Sequence, residues 1–451
     1  HFPTIMTAVG LDVNAAHLAS LREQLAGRAD ERKVRLVHAN FFDTDWAAML
    51  ADLPEPILVV GNPPWVTNAE LGALGSDNLP EKSNFQKHAG YDAVTGKSNF
   101  DISEWMLIRL MESLNGRRGT LAMLCKTAVA RKLLLHAWKH DLQLGAAALY
   151  GIDADIHFNA SVDACLLVCD FQPGCQPQTA CVYPSLEAEL AVSDLGWRVG
   201  RVVANAEAFD RWSHLVCDEP DSVYLWRSGV KHDCAAVMEL RVAEDHWCNK
   251  LGERVDIEPT FLYPMLKSSE IAAGRTKRPA HWMIVTQSAV NAPTDTIQDL
   301  APRTWAYLLA HAQLLDGRRS SIYRKRPRFS VFGVGDYTFA PYKVAISGFY
   351  KRLSFEVVGR HQGKPVVFDD TVNFLACQSN REAELLASLL NSEPANEFLS
   401  AFVFWDSKRP ITVDVLRRLD VRKLAGHFGR SRELQRLGFQ EKRCAAQKTL
   451  L

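Results

Sequence analysis

Asn62, Pro63, Pro64 and Trp65 form a run able to hold a planar amino group. The Asn62 amide oxygen is an acceptor, and Trp65 supplies a large flat ring. Two prolines end any preceding strand and leave the Pro63 carbonyl without a ladder partner. Two acceptors beside a stacking surface suit a ring bearing an exocyclic NH2, such as a nucleobase. Read alone, the string also fits a stiff loop whose Trp65 caps the core. Its position favours chemistry, because it follows Ile57-Leu58-Val59-Val60, a run too short for a helix and suited to a buried central strand. Open α/β sheets hold ligands outside the carboxyl ends of such strands.

Three further features lie where a nucleotide-type cofactor would need them. Asp12 ends a strand-like run, where a carboxylate can accept from ribose hydroxyls. Asn40 and Phe41 end the next strand and offer a polar group and a ring to an adenine. Phe158 precedes the last strand, four residues before Val162, and either packs in the core or faces Trp65 across a base.

The elements that must carry these residues alternate. Ile5 to Leu11 reads as a strand, and Asn14 is a good N-cap for a helix carrying Leu18, Leu21 and Leu25. Strands follow at 34–37, 57–60, 119–124, 144–150 and 163–171, with helices at 46–53, 101–114 and 129–138. This spacing predicts a mostly parallel, doubly wound sheet whose last strand pairs antiparallel at the edge. Residues 66 to about 99 show no period and read as a long functional or mobile connection.

Composition bounds the partners. The 451 residues suffice for two or three domains, and 52 basic residues cancel 52 acidic ones. Net charge attracts nothing, so any nucleic-acid site must be a local basic patch. No apolar run reaches transmembrane length and no signal peptide is found, so a cytoplasmic protein without a membrane partner is expected. Cys165 and Cys169 fall in an apolar strand and read as buried thiols. His232, Cys234, His246 and Cys248 make a weak zinc pattern, and neither metal nor disulfide is expected. Pro173, Gly174 and Pro177 mark a boundary, dividing the chain into 1–172 and an α+β region over 185–451. In the latter, Arg318, Arg319, Arg324, Lys325, Arg326 and Arg328 are interleaved with aromatic residues, as a phosphate-contacting run would be. Lys343, Lys351 and Arg352 extend it, and Lys408-Arg409 is a second candidate. A solvated charged face is the alternative for each of these residues.

Together these residues resemble an N6-adenine DNA methyltransferase of the gamma motif order, of the type II or IIG-like restriction–modification family. Asn62-Pro63-Pro64-Trp65 is similar to its catalytic motif, Leu11-Asp12-Val13-Asn14 to its ribose-binding motif, and Ala39-Asn40-Phe41 to its third motif, where the family usually has Asp. Phe100-Asp101-Ile102 falls at the fifth motif, and Phe158 with Val162 matches the aromatic motif that packs against an extruded adenine. The resemblance covers residues 1 to about 172. It implies a Rossmann-like sheet, S-adenosyl-L-methionine as cofactor near Asp12, Asn40, Phe41 and Asn62, double-stranded DNA as partner, and a cognate restriction endonuclease, separate or fused. Residues after about 185 would be the target-recognition region.

Rival readings are a methyltransferase acting on RNA or on a protein glutamine, and a DNA-binding remnant or part of a fused restriction–methylation polypeptide. The chain opens at His1-Phe2-Pro3 and reads as a fragment, and the Gly-rich cofactor loop of the resembled family would precede Asp12. Weak S-adenosylmethionine binding by this polypeptide alone is therefore expected; calorimetric titration giving micromolar affinity overturns that.

Overall fold

In a computed structural model the described residues are 4–28, 31–66, 101–218, 224–243 and 246–437. They form two compact units, His1–Ala206 and Glu207–Leu451. The expected long connection after Val66 lies outside the described residues.

The first unit is mixed α/β. Strands β1 (Ala8–Asp12) and β2 (Val34–His38) pair in parallel as a two-stranded sheet, joined by helix α1 (Ala15–Leu25). Asn14 caps α1 by accepting from Ala16 N at 2.9 Å. Helix α2 (Trp46–Ala51) leads to β3 (Ile57–Gly61). Helix α3 (Ile102–Leu114), β4 (Gly119–Lys126), helix α4 (Thr127–Lys139) and β5 (Leu144–Asp153) follow. The unit continues with the short helix α5 (Ala154–Phe158), β6 (Asp163–Phe171), β7 (Thr179–Tyr183), β8 (Ser193–Arg198) and β9 (Arg201–Val203).

These strands make a seven-stranded sheet in the order β3-β4-β6-β5-β7-β8-β9. Four sequence expectations change here. The sheet is mixed rather than mostly parallel: β3–β4 and β5–β7 are parallel, while β6 runs antiparallel to both β4 and β5. β6 is central and not an edge. Its run Ala164-Cys165-Leu166-Leu167-Val168-Cys169 is apolar on both faces and gains most from neighbours on both sides. β3, expected to be central, is an outer strand of this sheet among the described residues, with Val60 63% exposed. The anticipated boundary at 172 also falls inside this unit, since β7–β9 extend the sheet to Val203.

The core lies where α3 and α4 cover the sheet. Ile102, Leu107, Leu110, Met111 and Leu114 of α3 and Leu133, Leu134 and Ala137 of α4 are fully or almost fully buried. Each buried Leu or Met contributes roughly 1.5–3 kcal/mol. Gly119 permits the β3–β4 ladder to start, because a Cβ there would lie 2.8 Å from the Ile57 carbonyl. Cys165 and Cys169 are buried, as their strand context suggested.

The second unit by itself is α+β. It holds a four-stranded sheet, β10 (Arg227–Ser228), β19 (Val372–Cys377), β16 (Tyr342–Ser347) and β17 (Glu356–Val358), antiparallel throughout. A six-stranded sheet runs β13 (Arg254–Val255), β12 (His246–Cys248), β11 (Glu239–Ala243), β15 (His281–Ile284), β14 (Leu262–Leu266) and β18 (Val367–Phe368). Buried charges are held internally. Glu239, 4% exposed, meets Lys250 Nζ at 2.6 Å and Lys267 Nζ at 2.5 Å, with His232 at 3.4 Å.

Lys343 on β16 is 1% exposed, and its Nζ donates to the Ala340 and Val366 carbonyls, each at 2.8 Å. Burial pulls its ammonium down to about 7. The unfolded chain then holds more protons between about pH 7 and 10.5, so this residue makes stability rise with pH across that window; below it the full penalty of a buried cation remains. Denaturant unfolding should show a gain on the order of 1–3 kcal/mol from pH 7 to 9 that Lys343→Met removes. An identical pH slope in the variant rejects the assignment.

Candidate active site

β3 delivers Asn62 to the carboxyl end of the sheet, paired in parallel with β4 up to Gly61–Met123. Asn62 is exposed and Pro63 buried. Among the described residues neither the Asn62 amide nor the Pro63 carbonyl has a hydrogen-bond partner. Two acceptors are thus open at the end of a strand. The turn beyond them is fastened twice: Trp65 Nε1 donates to Leu124 O at 3.4 Å, and Ile102 N donates to Val66 O at 3.0 Å.

A buried carboxylate secures the second fastening. Asp101, 7% exposed, caps α3 by accepting from Ser103 N at 3.1 Å and Ser103 Oγ at 2.5 Å. Its other oxygen takes Lys126 Nζ at 2.7 Å. The last residue of β4 is thereby tied to the first turn of α3. Asp before an apolar helix is a legible capping signal; its partner Lys126 was missed, since nothing in the spacing marks it.

Trp65 and Phe158 do come together. Their ring centroids are 5.2 Å apart at an interplanar angle of 67°. This is direct edge-to-face contact, so the rings leave no slot of base thickness between them, contrary to the expected sandwich. A base between two parallel rings needs a centroid separation of about 7 Å, twice the contact thickness of an aromatic ring. Phe158 is 42% exposed and ends α5, and Asn159 follows it at φ 50°, which closes the short helix.

Asp12 is the last residue of β1, and Asn40 and Asn62 follow the carboxyl ends of β2 and β3. The Asp12 carboxylate accepts from Asn14 N at 2.7 Å and lies 3.4 Å from His17 Nδ1. The Asn14 amide holds its carboxyl below the usual range, against some desolvation, with His17 adding to the effect. Its side chain is 39% exposed and open to hydroxyl donors. Asn40 is more committed: its Oδ1 accepts from Phe42 N at 3.1 Å and its Nδ2 donates to Asp43 at 2.9 Å. Phe41 packs on Trp46 at 4.5 Å, and Phe42 on Trp105 at 5.4 Å. An open depression of about 480 Å³ includes Asn40, Asp43 and Asp52 but not Asp12, Asn62 or Trp65. Its lining carries three carboxylates, Asp43, Asp45 and Asp52, against one cation, Arg35.

The residues fit a nucleoside cofactor in part. Asp12 is available to hydroxyl groups and Asn62 to a polar donor, while the Asn40 amide is engaged in its own turn and Phe41 in its own cluster.

The basic run in the second unit divides. Arg318 is structural: its guanidinium donates to the Leu315, His232 and Ser330 carbonyls at 2.7–3.1 Å and stacks on Tyr323 at 3.8 Å. Burial draws its pKa below the ordinary value. Arg328 pairs with Asp316 at 2.7 Å, and Arg326 bonds Asn291. Arg319, Arg324 and Lys325 are exposed and have no carboxylate partner among the described residues. Lys343, expected to extend this surface, is buried.

Open polar groups past the carboxyl ends of parallel strands are the arrangement of an α/β enzyme. No family model matches the chain. Among curated proteins the type II methyltransferase M.NspV, from a Nostoc sp. strain, is 44% identical over 416 residues, covering 92% of this chain and 86% of that protein. The chain belongs to the type II methyltransferase family. Among solved structures, the type IIL restriction-modification enzyme MmeI, in complex with DNA, aligns over 85% of this chain and 48% of its own, with TM-score 0.48 and 11% identity. The type IIG restriction endonuclease BpuSI aligns over 96% and 55%, with TM-score 0.35 and 13% identity. The chain thus spans about half the length of these two solved enzymes.

Two substitutions test the scaffold. Asp101→Ala removes the cap and strands Lys126, and should cost about 2–4 kcal/mol in denaturant unfolding. Arg318→Gln abandons three buried carbonyls and should cost on the order of 2–4 kcal/mol. A loss below about 0.5 kcal/mol, the size of an ordinary surface change, would show that either side chain is not structural.

Proposed function

We propose that this chain is a site-specific DNA adenine N6-methyltransferase acting within a restriction–modification system. The observation that carries this reading is the Asn62–Pro63 corner: two acceptors without a partner among the described residues, past the end of β3, beside the Trp65–Phe158 ring pair. Membership of the type II methyltransferases supports the reaction class, and the family's reaction implies a methyl donor. We assign the first unit to catalysis on a Rossmann-like sheet and the second to target recognition. No helix among the described residues is long and apolar enough to cross a membrane.

Chemistry on a base edge requires the base to leave the stack. The adenine enters by parting the Trp65–Phe158 contact, stacking on one ring and meeting the edge of the other. Asn62 Oδ1 and the Pro63 carbonyl accept the two N6 hydrogens. That hydrogen bonding draws the amino nitrogen away from conjugation with the ring and exposes its lone pair. Asp12 would hold S-adenosylmethionine at its ribose, with Asn40, Phe41 and Asn62 beside it, and the bound cofactor would supply an electrophilic methyl group. On transfer to the N6 lone pair the donor sulfur would keep the C–S electron pair, and one N6 proton would leave along its acceptor, Asn62 Oδ1 or the Pro63 carbonyl. Pro64 and the buried Pro63 keep the corner stiff, so positioning is present before the base arrives.

Incubation with duplex DNA and labelled methyl donor, followed by nucleoside analysis, tests the proposal. Label should appear in N6-methyladenine, and Asn62→Ala should lower the rate at least ~100-fold with unchanged unfolding. Label in cytosine, in RNA or in a glutamine side chain, or near-normal transfer by the variant, overturns it.

A further inference from the structure

Three loops of the second unit meet at one end of the central strands β16 and β19 of its four-stranded sheet. Gly348, just after β16, donates through its N–H to Thr371 O at 2.9 Å, and Asn373 Nδ2 on β19 donates to Ile411 O at 3.0 Å. A Cβ on Gly348 would lie 2.9 Å from Thr371 O and 3.3 Å from Ile411 O, so the three backbones are in close contact. The β16–β17 turn is preformed, because Ser347 Oγ accepts from Phe349 N at 3.3 Å and Tyr350 N at 3.2 Å. Arg409, from the loop before Ile411, lies over the Phe349 ring at 4.8 Å and approaches Asp370 at 3.4 Å.

This junction presents cations that the fold does not use. Lys351, Arg352 and Lys408 are exposed, and among the described residues none has a carboxylate partner. Tyr350 is 47% exposed beside them. The acids nearby are Asp370, which faces Arg409, Asp406 on the Arg409 loop, and Asp369, whose oxygen takes Thr371 Oγ1 at 2.5 Å. The 318–328 run differs in proportion: half of its cations are committed, Arg318 to carbonyls, Arg328 to Asp316 and Arg326 to Asn291, whereas among the described residues only Arg409 of the junction's four meets a carboxylate.

A chain of zero net charge has no global field to draw a polyanion, so attraction depends on local cations left unpaired and held on a fixed backbone. We infer that the Phe349–Arg352 and Lys408–Arg409 junction, rather than the 318–328 run, is the main surface that takes double-stranded DNA. Lys351, Arg352 and Lys408 contact phosphates, and Tyr350 lays its ring against a sugar or base. The inference rests on the DNA reading of the function and names the face that reading needs.

Fluorescence anisotropy with a labelled random-sequence duplex, from 50 to 200 mM salt, tests it on the full chain. The variant K351Q/R352Q/K408Q should flatten the log-affinity against log-salt slope by about 2–3, roughly 0.9 per lost phosphate contact, and weaken binding at least ~10-fold. R319Q/R324Q/K325Q should keep most of the slope. All six positions are exposed, and thermal unfolding of both variants should match the parent within about 0.5 kcal/mol. An unchanged slope in the first variant, or a larger loss in the second, overturns the assignment of the face while leaving the DNA reading intact. Failure of the parent chain to bind duplex, or equal binding to RNA, overturns both.

Discussion

The hydrogen-bonding demand of β4 is the constraint from which the Asn62–Pro63 corner follows. A central strand must satisfy donors and acceptors on both edges. β4 does so with β3 in parallel on one side and β6 antiparallel on the other. The first pairing fixes how far β3 runs before Asn62 leaves the ladder. Near its end β4 still has Leu124 O for the Trp65 indole and Lys126 Nζ for Asp101. A single strand therefore sets the position of Asn62, the seat of Trp65 and the start of α3. Its alternating buried pattern keeps it in place under α3 and α4.

The site is built by contrast between stiffness and availability. Among the described residues the Trp65 indole, the Val66 carbonyl and the Asp101 carboxylate are engaged, while the two acceptors left open are those the proposed chemistry would use. The same contrast recurs in the second unit. Glu239, Lys343 and Arg318 spend their charge on internal partners, and removing one partner of such a group is far more costly than losing a surface pair. The exposed cations of the Phe349–Arg352 and Lys408–Arg409 loops stand on that rigid interior and remain available.

Much of the first unit was legible because its signals are local. The strand and helix periods from Ala8 to Phe171, the Asn14 cap and the proline stop after β3 each depend on residues a few positions apart. The candidate residues at strand ends were legible for the same reason. The ones misjudged depend on partners far along the chain. Arg318 looked like a phosphate ligand until it met the His232 carbonyl, 86 positions away. Val60 looked buried, since an apolar strand says nothing about which edge of a sheet it occupies.

The sequence by itself determined which groups the corner carries, the order of the elements and the local caps, because side-chain type, proline geometry and short-range periodicity are properties of neighbouring residues. Only the tertiary structure decided that β6 would lie inside the sheet, that Trp65 and Phe158 would touch edge to face, and which cations would be left facing outward. Those outcomes depend on strand pairing, burial and charge partners brought together from distant positions, and such contacts exist only once the chain has closed on itself.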